Sequence, residues 1–347
     1  MSATTRVAVI GCGYFARYHL AAWRALAGEG VELVAVCDVD PDKAAAAARE
    51  YGAGRSYADA AAMLDAGNVD LVDIATRMDT HLPLARLCAD RAIAAIVQKP
   101  LAPRWEDAIA LVEAARAGGS FLAVHENFRF QDAILRVRSI LDEGRIGAPS
   151  WARIGFRTGL DVYANQPYFL NEDRLVILDL GIHLLDLARV LLGEVDRLSC
   201  ETQRRNPRVR AEDTATMLLR HRSGAVSVVE CTYESRRPPA RAEVFLEIEG
   251  PKGAILLDRA LGLSVTEGGE TWCADLSPPD FDRTDPAAHI ARTSVLNTCR
   301  HILTAYRAGL DAEVSGDDNL KTFALVEAAY RAAASGRAEA PFDWRGG

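Results

Sequence analysis

The first 125 residues alternate short apolar runs with helical stretches, and this alternation is what most constrains the fold. The apolar runs read RVAVI, VELVAVC, VDLVDIA, AIAAIVQ and SFLAVH. Helical stretches follow them, starting near Tyr14, Pro41, His81 and Trp105. Apolar strands that alternate with helices form a parallel sheet covered on both faces. The sequence therefore predicts a doubly wound α/β domain over residues 1–126.

The pattern changes after this domain, where longer strands alternate apolar and polar side chains. Four of them read TATMLLRH, AVSVVECTYES, AEVFLEIEG and GAILLDR. This alternation indicates antiparallel strands with one face exposed to water. A helix over about 177–192 and two terminal helices accompany the strands. We therefore predict an α+β domain over residues 127–347 with an open-faced, mainly antiparallel sheet.

The net charge and the cysteines indicate which kinds of partner the protein binds and in which compartment it works. The chain of 347 residues has a net charge of −8, which argues against nucleic acid or an anionic membrane as a partner. No run approaches the ~18 apolar residues that a membrane-spanning helix needs. The seven cysteines are scattered without a C-x-x-C pair, which is typical of reduced thiols rather than disulfides or a metal site. We expect a cytoplasmic protein without a metal.

The stretch VAVIGCGYFARYH fits the G-x-G-x-x-G/A pattern of a dinucleotide-binding turn. Gly11 permits the tight turn, Gly13 lets a pyrophosphate approach the backbone, and Ala16 lets helix and strand pack closely. Asp38 ends the next strand about 20 residues later, where a ribose-binding carboxylate is expected. A bare glycine triplet also occurs in ordinary strand–helix turns, but this context favours a Rossmann nucleotide site.

The residues after the second strand favour NAD over NADP. Asp38 and Asp40 bring two carboxylates that would repel the 2′-phosphate of NADP, and no arginine stands nearby to receive it. We therefore predict NAD as the cofactor. Within the turn, Tyr14 and Phe15 complete the predicted cofactor contacts.

Lys99 is unusual because the chain otherwise prefers arginine. Only four of its forty basic residues are lysines, yet Lys99 ends the fourth apolar run, where open α/β sheets bind their ligands. Arginine keeps its proton and presents a broad fork, whereas lysine offers a compact charge with a tunable pKa. Two interpretations stay open: a lysine that extends from the strand end to water, or a catalytic group.

The stretch VILDLGIHLLDLARVLLG reads as an apolar helix with one polar stripe. Asp179, His183 and Asp186 fall at i, i+4 and i+7, so an α-helix would place them on one face. His183 can act as a general base near neutral pH, and Asp179 can orient it or join it in the site. Asp186 fits a structural role better. A histidine satisfied inside the core is the alternative for His183.

Taken together and in this order, the motifs resemble the glucose–fructose oxidoreductase/inositol dehydrogenase (Gfo/Idh/MocA) family over essentially the whole chain. The resemblance rests on the glycine turn, IATRMDTH, QKP, HENFRF, GRIGAP and DLGIHLLD. It implies that Lys99, Asp179 and His183 form the catalytic group of an NAD-dependent sugar dehydrogenase, usually a homodimer or homotetramer. It also implies the following further cofactor contacts: Ala75, Thr76, His81, Gln98 and Lys99 itself.

One position departs from the family pattern, in which a glutamate precedes the catalytic lysine. Gln98 takes that place here. It can still donate and accept hydrogen bonds, but it brings no charge that would shift a neighbouring pKa. We expect activity to survive this change. His81 has a second interpretation, as the first residue of a helix.

Polar side chains in two loops are candidates for substrate contacts. Each buried sugar hydroxyl needs a partner, so a sugar pocket needs both donors and acceptors. HENFRF and TGLDVYANQ supply such side chains, which join Asp179 and His183: Asn127, Arg129, Asp161, Tyr163, Asn165 and Gln166. Each could instead be an ordinary loop residue, and Arg129 could equally pair with a carboxylate.

Within the family, four stretches are similar to the branch of D-apiose dehydrogenases, which oxidise a branched pentose to a lactone. They read CADRAIAAIVQKP, VHENFRFQ, FRTGLDVYANQPY and DLGIHLLDLAR. Three other interpretations stay open: a dehydrogenase of an inositol or another aldose, a redox-neutral NAD-dependent glycosidase or epimerase, and a non-catalytic NAD-binding sugar sensor. A sensor would be expected to lose the lysine or the histidine, and both are present.

Overall fold

The computed structural model describes residues 4–237, 244–278 and 286–343. Over these residues the chain forms two compact units, which are Met1–Asn127 with Ala291–Leu320, and Phe128–Ile290 with Lys321–Gly347. The sequence pattern assigned everything after residue 126 to the second domain. The structure corrects this division, because residues 291–320 return to the first unit.

The returning segment joins the first unit through hydrogen bonds that no local sequence pattern reveals. Arg307 donates from Nε to the hydroxyl of Thr5 at 3.0 Å and from Nη1 to the carbonyl of Glu29 at 2.8 Å. The backbone N–H of Val124 donates to the carbonyl of Val314 at 2.7 Å. Partners as far apart as Thr5 and Arg307 can be found only once the chain has folded.

Six parallel strands form the sheet of the first unit. They are β1 Thr5–Ile10, β2 Val31–Cys37, β3 Arg55–Tyr57, β4 Leu71–Ile74, β5 Ala94–Gln98 and β6 Leu122–His125, in the spatial order β3-β2-β1-β4-β5-β6. The helices between them are α1 Ala16–Ala25, α2 Pro41–Tyr51, α3 Ala60–Asp65, α4 His81–Ala89 and α5 Trp105–Ala117. β4, β5 and β6 are buried along their whole length. The predicted doubly wound α/β fold is therefore confirmed.

Most element boundaries in the first unit follow the sequence pattern, with two exceptions. α2, α4 and α5 begin at the predicted residues, whereas α1 begins at Ala16 because Tyr14 and Phe15 still lie in the turn. β3 was not predicted. Its three residues, RSY, are largely exposed and show no apolar run, so hydrophobic pattern gives no signal there.

Eight strands form the sheet of the second unit. They are β7 Trp151–Arg157, β8 Val195–Gln203, β9 Thr214–His221, β10 Val226–Thr232, β11 Val244–Gly250, β12 Gly253–Leu257, β13 Gly262–Glu267 and β14 Glu270–Asp275. Their order is β14-β13-β12-β11-β7-β10-β9-β8, and all neighbours are antiparallel except β7 and β10. The predicted mainly antiparallel sheet is therefore confirmed. Residues 242 and 243 of the strand predicted over 242–250 lie outside the described residues.

The remaining helices accompany this sheet or end the chain. They are α6 Asp132–Asp142, α7 Val162–Asn165, α8 Ile182–Leu192, α9 Pro286–Ala308 and α10 Gly316–Ser335. Short 3-10 turns occupy Leu26–Glu29, Met78–Thr80, Phe128–Phe130 and Pro167–Asn171. Within the described ranges, no helix combines the length and apolarity that crossing a lipid bilayer requires.

Candidate functional site

The glycine turn follows β1 and is held by the neighbouring strands. The N–H of Gly11 donates to the carbonyl of Cys37 at 2.7 Å, and the N–H of Ala75 donates to the carbonyl of Ile10 at 2.8 Å. Gly11 has a φ of 101°, and a Cβ there would lie 2.5 Å from the carbonyl oxygen of Ala75, so only glycine fits. Around Gly13, by contrast, no described atom lies within 4 Å of a Cβ position. The second glycine therefore leaves the backbone open to a pyrophosphate.

The three residues after Gly13 differ in exposure. Ala16 is buried and begins α1. Tyr14 is 42% exposed, and the guanidinium of Arg17 lies 4.3 Å from the centre of its ring. Phe15 is half-buried, and its ring meets the edge of His19 at 5.7 Å between centroids. Tyr14 is therefore the side chain of this turn that a bound cofactor can reach most directly.

Asp38 closes the turn with its carboxylate. Oδ2 accepts from the N–H of Cys12 at 2.8 Å, and Oδ1 accepts from the N–H of Asp40 at 2.9 Å. Each carboxylate oxygen has a further lone pair, so Asp38 can still accept ribose hydroxyls. Burial raises the pKa of the Cys12 thiol to about 12, so the thiol stays protonated. The glycine turn, its open side and Asp38 together fit NAD.

Asp40 also caps helix α2. Its side chain accepts from the N–H of Asp42 at 3.1 Å and from the N–H of Lys43 at 3.3 Å, which caps α2. Pro41 at the first helical position needs no such partner. The carboxylates of Asp38 and Asp40, which predicted NAD, therefore also bind backbone N–H groups of the turn and of α2.

Four of the predicted residues follow directly after parallel strands and so share one edge of the sheet. They are Gly11 after β1, Asp38 after β2, Ala75 after β4 and Lys99 after β5. The strand order reverses between β1 and β4. Open α/β sheets bind dinucleotides at this reversal, outside the carboxyl ends of the strands.

His81 holds the loops after β4 and β5. Its side chain is fully buried, with Nδ1 3.0 Å from the carbonyl oxygen of Pro100 and 3.2 Å from that of Leu101. Nε2 lies 3.2 Å from the carbonyl oxygen of Thr76. Burial lowers the pKa of His81, although these carbonyls oppose the change. Since all these contacts are with main-chain oxygens, the geometry favours a role in shaping the loops over direct contact with a cofactor.

Lys99 leaves the end of β5 half-buried, followed by a cis peptide bond to Pro100. Its backbone N–H donates to Oε1 of Gln98 at 2.6 Å. The amide nitrogen of Gln98 lies 3.2 Å from Nε2 of His19. Gln98 is itself buried at 7% exposure. Gln98 therefore lies inside the sheet and contacts the backbone of Lys99 from there.

The helix predicted over 177–192 is not α-helical throughout. Ile177–Gly181 form a π turn, and α8 begins at Ile182. Because a π turn winds more widely than an α turn, α-helical spacing alone does not fix the direction of Asp179 relative to α8. The contacts of the polar side chains in this segment are as follows.

Asp179 is held by a residue that the sequence did not single out. The phenol of Tyr233 donates a hydrogen bond to Oδ2 of Asp179. Burial, together with the charge of Asp179, raises the pKa of Tyr233 well above its ordinary value, so the phenol stays a donor. A tyrosine that closes the apolar run AVSVVECTYES was the available signal, because a buried hydroxyl needs a partner.

His183 is 4% exposed and stacks on Phe128. The two ring centroids are 3.8 Å apart and the planes differ by 3°. This contact fixes the plane of the imidazole, which a general base needs in order to meet a proton along a defined direction.

Asp186 and Arg129 form an ion pair inside the second unit. Nε of Arg129 donates to Oδ2 of Asp186 at 2.7 Å, and a second guanidinium N–H donates to Oδ1. The side chains of Arg129 and Asp186 are 2% and 0% exposed. Thr322 donates a further hydrogen bond to Asp186 at 2.9 Å. Of the two interpretations offered for Arg129, the geometry favours pairing with a carboxylate.

Two of the predicted substrate contacts are buried polar side chains. Asn127 donates from Nδ2 to the hydroxyl of Ser294 at 2.7 Å. The hydroxyl of Tyr163 donates to Oε1 of Glu234 at 3.3 Å. Because Glu234 directly follows Tyr233, the loop with Tyr163 lies beside the residue that holds Asp179.

The other predicted contacts lie on the surface of the same loop. Asp161 is exposed and caps α7 by accepting from the N–H of Ala164 at 3.2 Å. Asn165 is exposed, and Gln166 accepts from the hydroxyl of Tyr168 at 2.7 Å. Among the described side chains, no group of three or more His, Cys, Asp or Glu residues is arranged to hold a metal ion.

Comparison with known families matches both halves of the chain. Residues 5–126 match the GFO_IDH_MocA oxidoreductase family, described as an NAD-binding Rossmann fold. Residues 134–256 match the GFO/IDH/MocA C-terminal domain.

Individual relatives cover almost the whole chain. A D-apiose dehydrogenase of Paraburkholderia graminis is 44% identical over 95% of this chain and 88% of the relative. A D-apiose dehydrogenase of Rhizobium rhizogenes is 41% identical over 95% of each chain. Among solved structures, an oxidoreductase from Agrobacterium radiobacter in complex with NAD⁺, L-tartaric acid and magnesium is 40% identical. It covers 97% of this chain and 98% of its own, with a TM-score of 0.93.

Proposed function

Because the chain belongs to the Gfo/Idh/MocA oxidoreductase family, we propose that it is an NAD-dependent sugar dehydrogenase that oxidises D-apiose to its lactone. The sheet edge shared by Gly11, Asp38, Ala75 and Lys99 supports this proposal, since Lys99 follows β5 at the edge where such sheets bind dinucleotides. The two relatives named D-apiose dehydrogenase support the choice of sugar.

The cofactor is held by the turn and the strand ends. NAD, when bound, supplies the hydride acceptor. Gly13 admits the pyrophosphate, Asp38 accepts from the ribose hydroxyls, and Tyr14 and Phe15 flank the turn. Ala75 and Thr76 after β4, and Gln98 at the end of β5, would hold the nicotinamide end of NAD, and His81 shapes the loops beside them.

Lys99, His183 and Asp179 share the chemistry at the sugar. His183 removes the proton of the hydroxyl, and its stacking on Phe128 keeps the ring in one plane. Lys99 donates a hydrogen bond to the oxygen as negative charge develops there. Asp179, oriented by Tyr233, supports the positive charge that His183 acquires. A compact ammonium fits beside the alcohol where a guanidinium would not.

Selectivity for the sugar comes from polar groups of two segments. Asn127, Asp161, Tyr163 and Gln166 supply the donors and acceptors that the remaining hydroxyls need. Arg129 acts indirectly in this scheme, since its ion pair fixes Asp186 on the helix that carries His183.

The test is NADH formation by the purified protein with excess NAD⁺ across D-apiose, common aldoses and inositols, with NADP⁺ in parallel. Steady NADH with D-apiose supports the proposal, and a clear preference for an inositol would replace the substrate. Absence of NADH with every sugar, with NAD recovered from the protein, would overturn it in favour of a redox-neutral enzyme or a sensor. Lys99→Ala should abolish turnover and spare NAD binding, whereas Lys252→Ala, at an exposed lysine, should change neither.

We also propose that the chain forms a homodimer or homotetramer through the open face of its eight-stranded sheet. Side chains at paired positions point to the same side, which places Leu218, Val228, Arg153, Glu247 and Leu256 in one row. Leu218 and Leu256 are 53% and 42% exposed. Leu218→Glu should lower the mass measured by light scattering to that of the monomer, and an unchanged mass would refute this interface.

We further propose that the protein works in the cytoplasm. All seven cysteines are free thiols in the structure, as in proteins of reducing compartments. Recovery of the native protein from the cytoplasmic fraction of its source cells tests this.

A further inference from the structure

We propose that His19 and Asp73 are positioning residues that act through Gln98 on Lys99, and that Gln98 keeps His19 uncharged. The role in positioning rests on the proposed dehydrogenase function, whereas the charge state of His19 is independent of it. All four residues lie in the first unit and are joined by hydrogen bonds.

Asp73 is the inner end of this network. It lies in β4, is fully buried, and accepts two hydrogen bonds at Oδ2, from Nδ1 of His19 at 2.8 Å and from Nε1 of Trp23 at 2.7 Å. Oδ1 has no hydrogen-bond partner among the described residues. Burial opposes the charge of Asp73, and the hydrogen bonds from His19 and Trp23 support it. An imidazole keeps at least one ring proton, so Nδ1 of His19 carries it and donates to Oδ2 if Nε2 does not.

Lys99 fixes the outer end. Its backbone N–H can only donate, so the atom of Gln98 that lies 2.6 Å from it must be the carbonyl oxygen. The amide NH₂ of Gln98 then points to Nε2 of His19 at 3.2 Å. An amide NH₂ can only donate, so Nε2 of His19 must offer a lone pair. His19 is therefore neutral, with its proton on Nδ1.

The groups around His19 contribute no compensating charge. The ring of His125, at the end of β6, lies 4.1 Å from that of His19 between centroids. Burial lowers the pKa of His125 to about 3, so this ring is neutral. Beyond it lies the thiol of Cys299, whose pKa burial raises well above its ordinary value. The side chain of Asp73 is thus surrounded by neutral rings and a protonated thiol.

The network ties two parts of the nucleotide site together. His19 belongs to α1, which follows the glycine turn, and Gln98 ends β5 immediately before Lys99. Each hydrogen bond in this network can have only one direction, from donor to acceptor. Together these bonds fix the position of the Lys99 backbone relative to α1. Misplacement of a reacting group by about 1 Å can cost 100-fold in rate, so this restraint bears on turnover.

Replacing Gln98 by glutamate should change the charge of His19. One carboxylate oxygen can still accept from Lys99, but the other cannot donate to Nε2. His19 would then gain a proton and lie between two carboxylates, each of which favours the charged imidazole. The amide at position 98 therefore removes a titrating group from beside the lysine.

The first experiment reads the protons directly. ¹⁵N-histidine-labelled wild type and Gln98→Glu are compared by ¹H–¹⁵N correlation NMR at neutral pH, with the His19 signals assigned from His19→Asn. We expect a neutral ring protonated at Nδ1 in the wild type and a doubly protonated ring in Gln98→Glu. Gln203→Glu, which adds the same charge on an exposed strand, should keep the wild-type signals. A doubly protonated or Nε2-protonated ring in the wild type, or a neutral ring in Gln98→Glu, would overturn the inference.

The second experiment tests positioning. His19→Asn keeps a donor for Asp73, but its shorter side chain places no acceptor at the position of Nε2, so the amide of Gln98 loses its partner. We expect kcat to fall about 10- to 100-fold with an unchanged KM for NAD. In Gln98→Glu, kcat should fall at high pH relative to its own value at neutral pH, because the proton between position 98 and His19 is lost there, whereas the same pair should cause no such fall in the wild type. Wild-type kcat in His19→Asn would overturn positioning. A wild type that oxidises no sugar would overturn the proposed function instead, and the NMR result would still decide the charge of His19.

Discussion

Two fully buried carboxylates, Asp73 in the first unit and Asp186 in the second, are satisfied in opposite ways. Asp186 meets the guanidinium of Arg129 and the hydroxyl of Thr322. Asp73 meets the neutral donors of His19 and Trp23. One negative charge is therefore cancelled by a permanent cation, and the other is held by directional hydrogen bonds alone.

The difference shows what each cluster can do. A buried ion pair resists the loss of either partner, because the partner that remains is an uncompensated charge. Such a pair suits a structural role, here the anchoring of the helix that carries His183. A carboxylate among neutral donors instead fixes which atoms carry protons. The cluster of Asp73 therefore suits the control of geometry beside Lys99.

Breaking the ion pair should produce the largest loss of stability. Arg129→Met removes both guanidinium hydrogen bonds from the buried carboxylate of Asp186 and leaves near it the more distant guanidinium of Arg189, at 3.8 Å. We expect the free energy of unfolding to fall by about 3–5 kcal/mol. Urea denaturation measures this change. Adding Asp186→Leu should recover most of the lost free energy of unfolding, because apolar residues of similar volume can replace a buried ion pair.

An exposed ion pair provides the control for this result. Arg104 is 70% exposed and pairs with Asp107 at 2.9 Å. Arg104→Ala should change the free energy of unfolding by less than about 1 kcal/mol. Equal effects of Arg129→Met and Arg104→Ala would refute the contrast between a buried cancelled charge and an exposed one.

The cluster of Asp73 should respond to pH through His125. The folded state lowers the pKa of this histidine to about 3, whereas the unfolded chain binds a proton near the ordinary value of 6.5. Between these values the unfolded state holds the extra proton, so stability is lost as the pH falls. The slope from this group is about 1.4 kcal/mol per pH unit. Urea denaturation between pH 6.5 and 4.5 should show a slope flatter by this amount in His125→Gln, and equal slopes would refute the neutral histidine.

The same two clusters show how far sequence could predict the site. The glycine turn, Asp38 and the lysine were found because spacing along the chain determines where strand ends lie. Asp73 left a detectable signal, an aspartate within the apolar run VDLVDIA, since a strand buried on both faces seldom carries a charge. Its partner His19 left none, because the pairing joins residues 54 positions apart. Contacts of this kind are fixed by three-dimensional packing.

The π turn at Ile177–Gly181 was missed for a related reason. Its residues have the apolar periodicity of a helix, and a change of winding leaves no mark in such a pattern. Two aspartates of the predicted polar stripe bind residues that the pattern did not name: Asp179 accepts from Tyr233, and Asp186 pairs with Arg129. The residue types were predictable, whereas their partners were not.

A third carboxylate, the half-buried Asp179, allows the smallest and most specific test of the comparison. It accepts a hydrogen bond from a neutral donor, the phenol of Tyr233. Tyr233→Phe removes that hydrogen bond with little change in volume, and the free energy of unfolding should fall by about 1 kcal/mol. Without the donor, the carboxylate binds a proton more readily, so the acidic limb of the kcat/KM profile should move to higher pH. Tyr306→Phe, whose hydroxyl contacts a main-chain carbonyl at 3.4 Å in the first unit, should leave that limb in place. If the acidic limb does not move in Tyr233→Phe, the hydrogen bond from Tyr233 contributes to packing but not to the ionisation of Asp179. The distinction between the two buried clusters would then not extend to the proposed catalytic group.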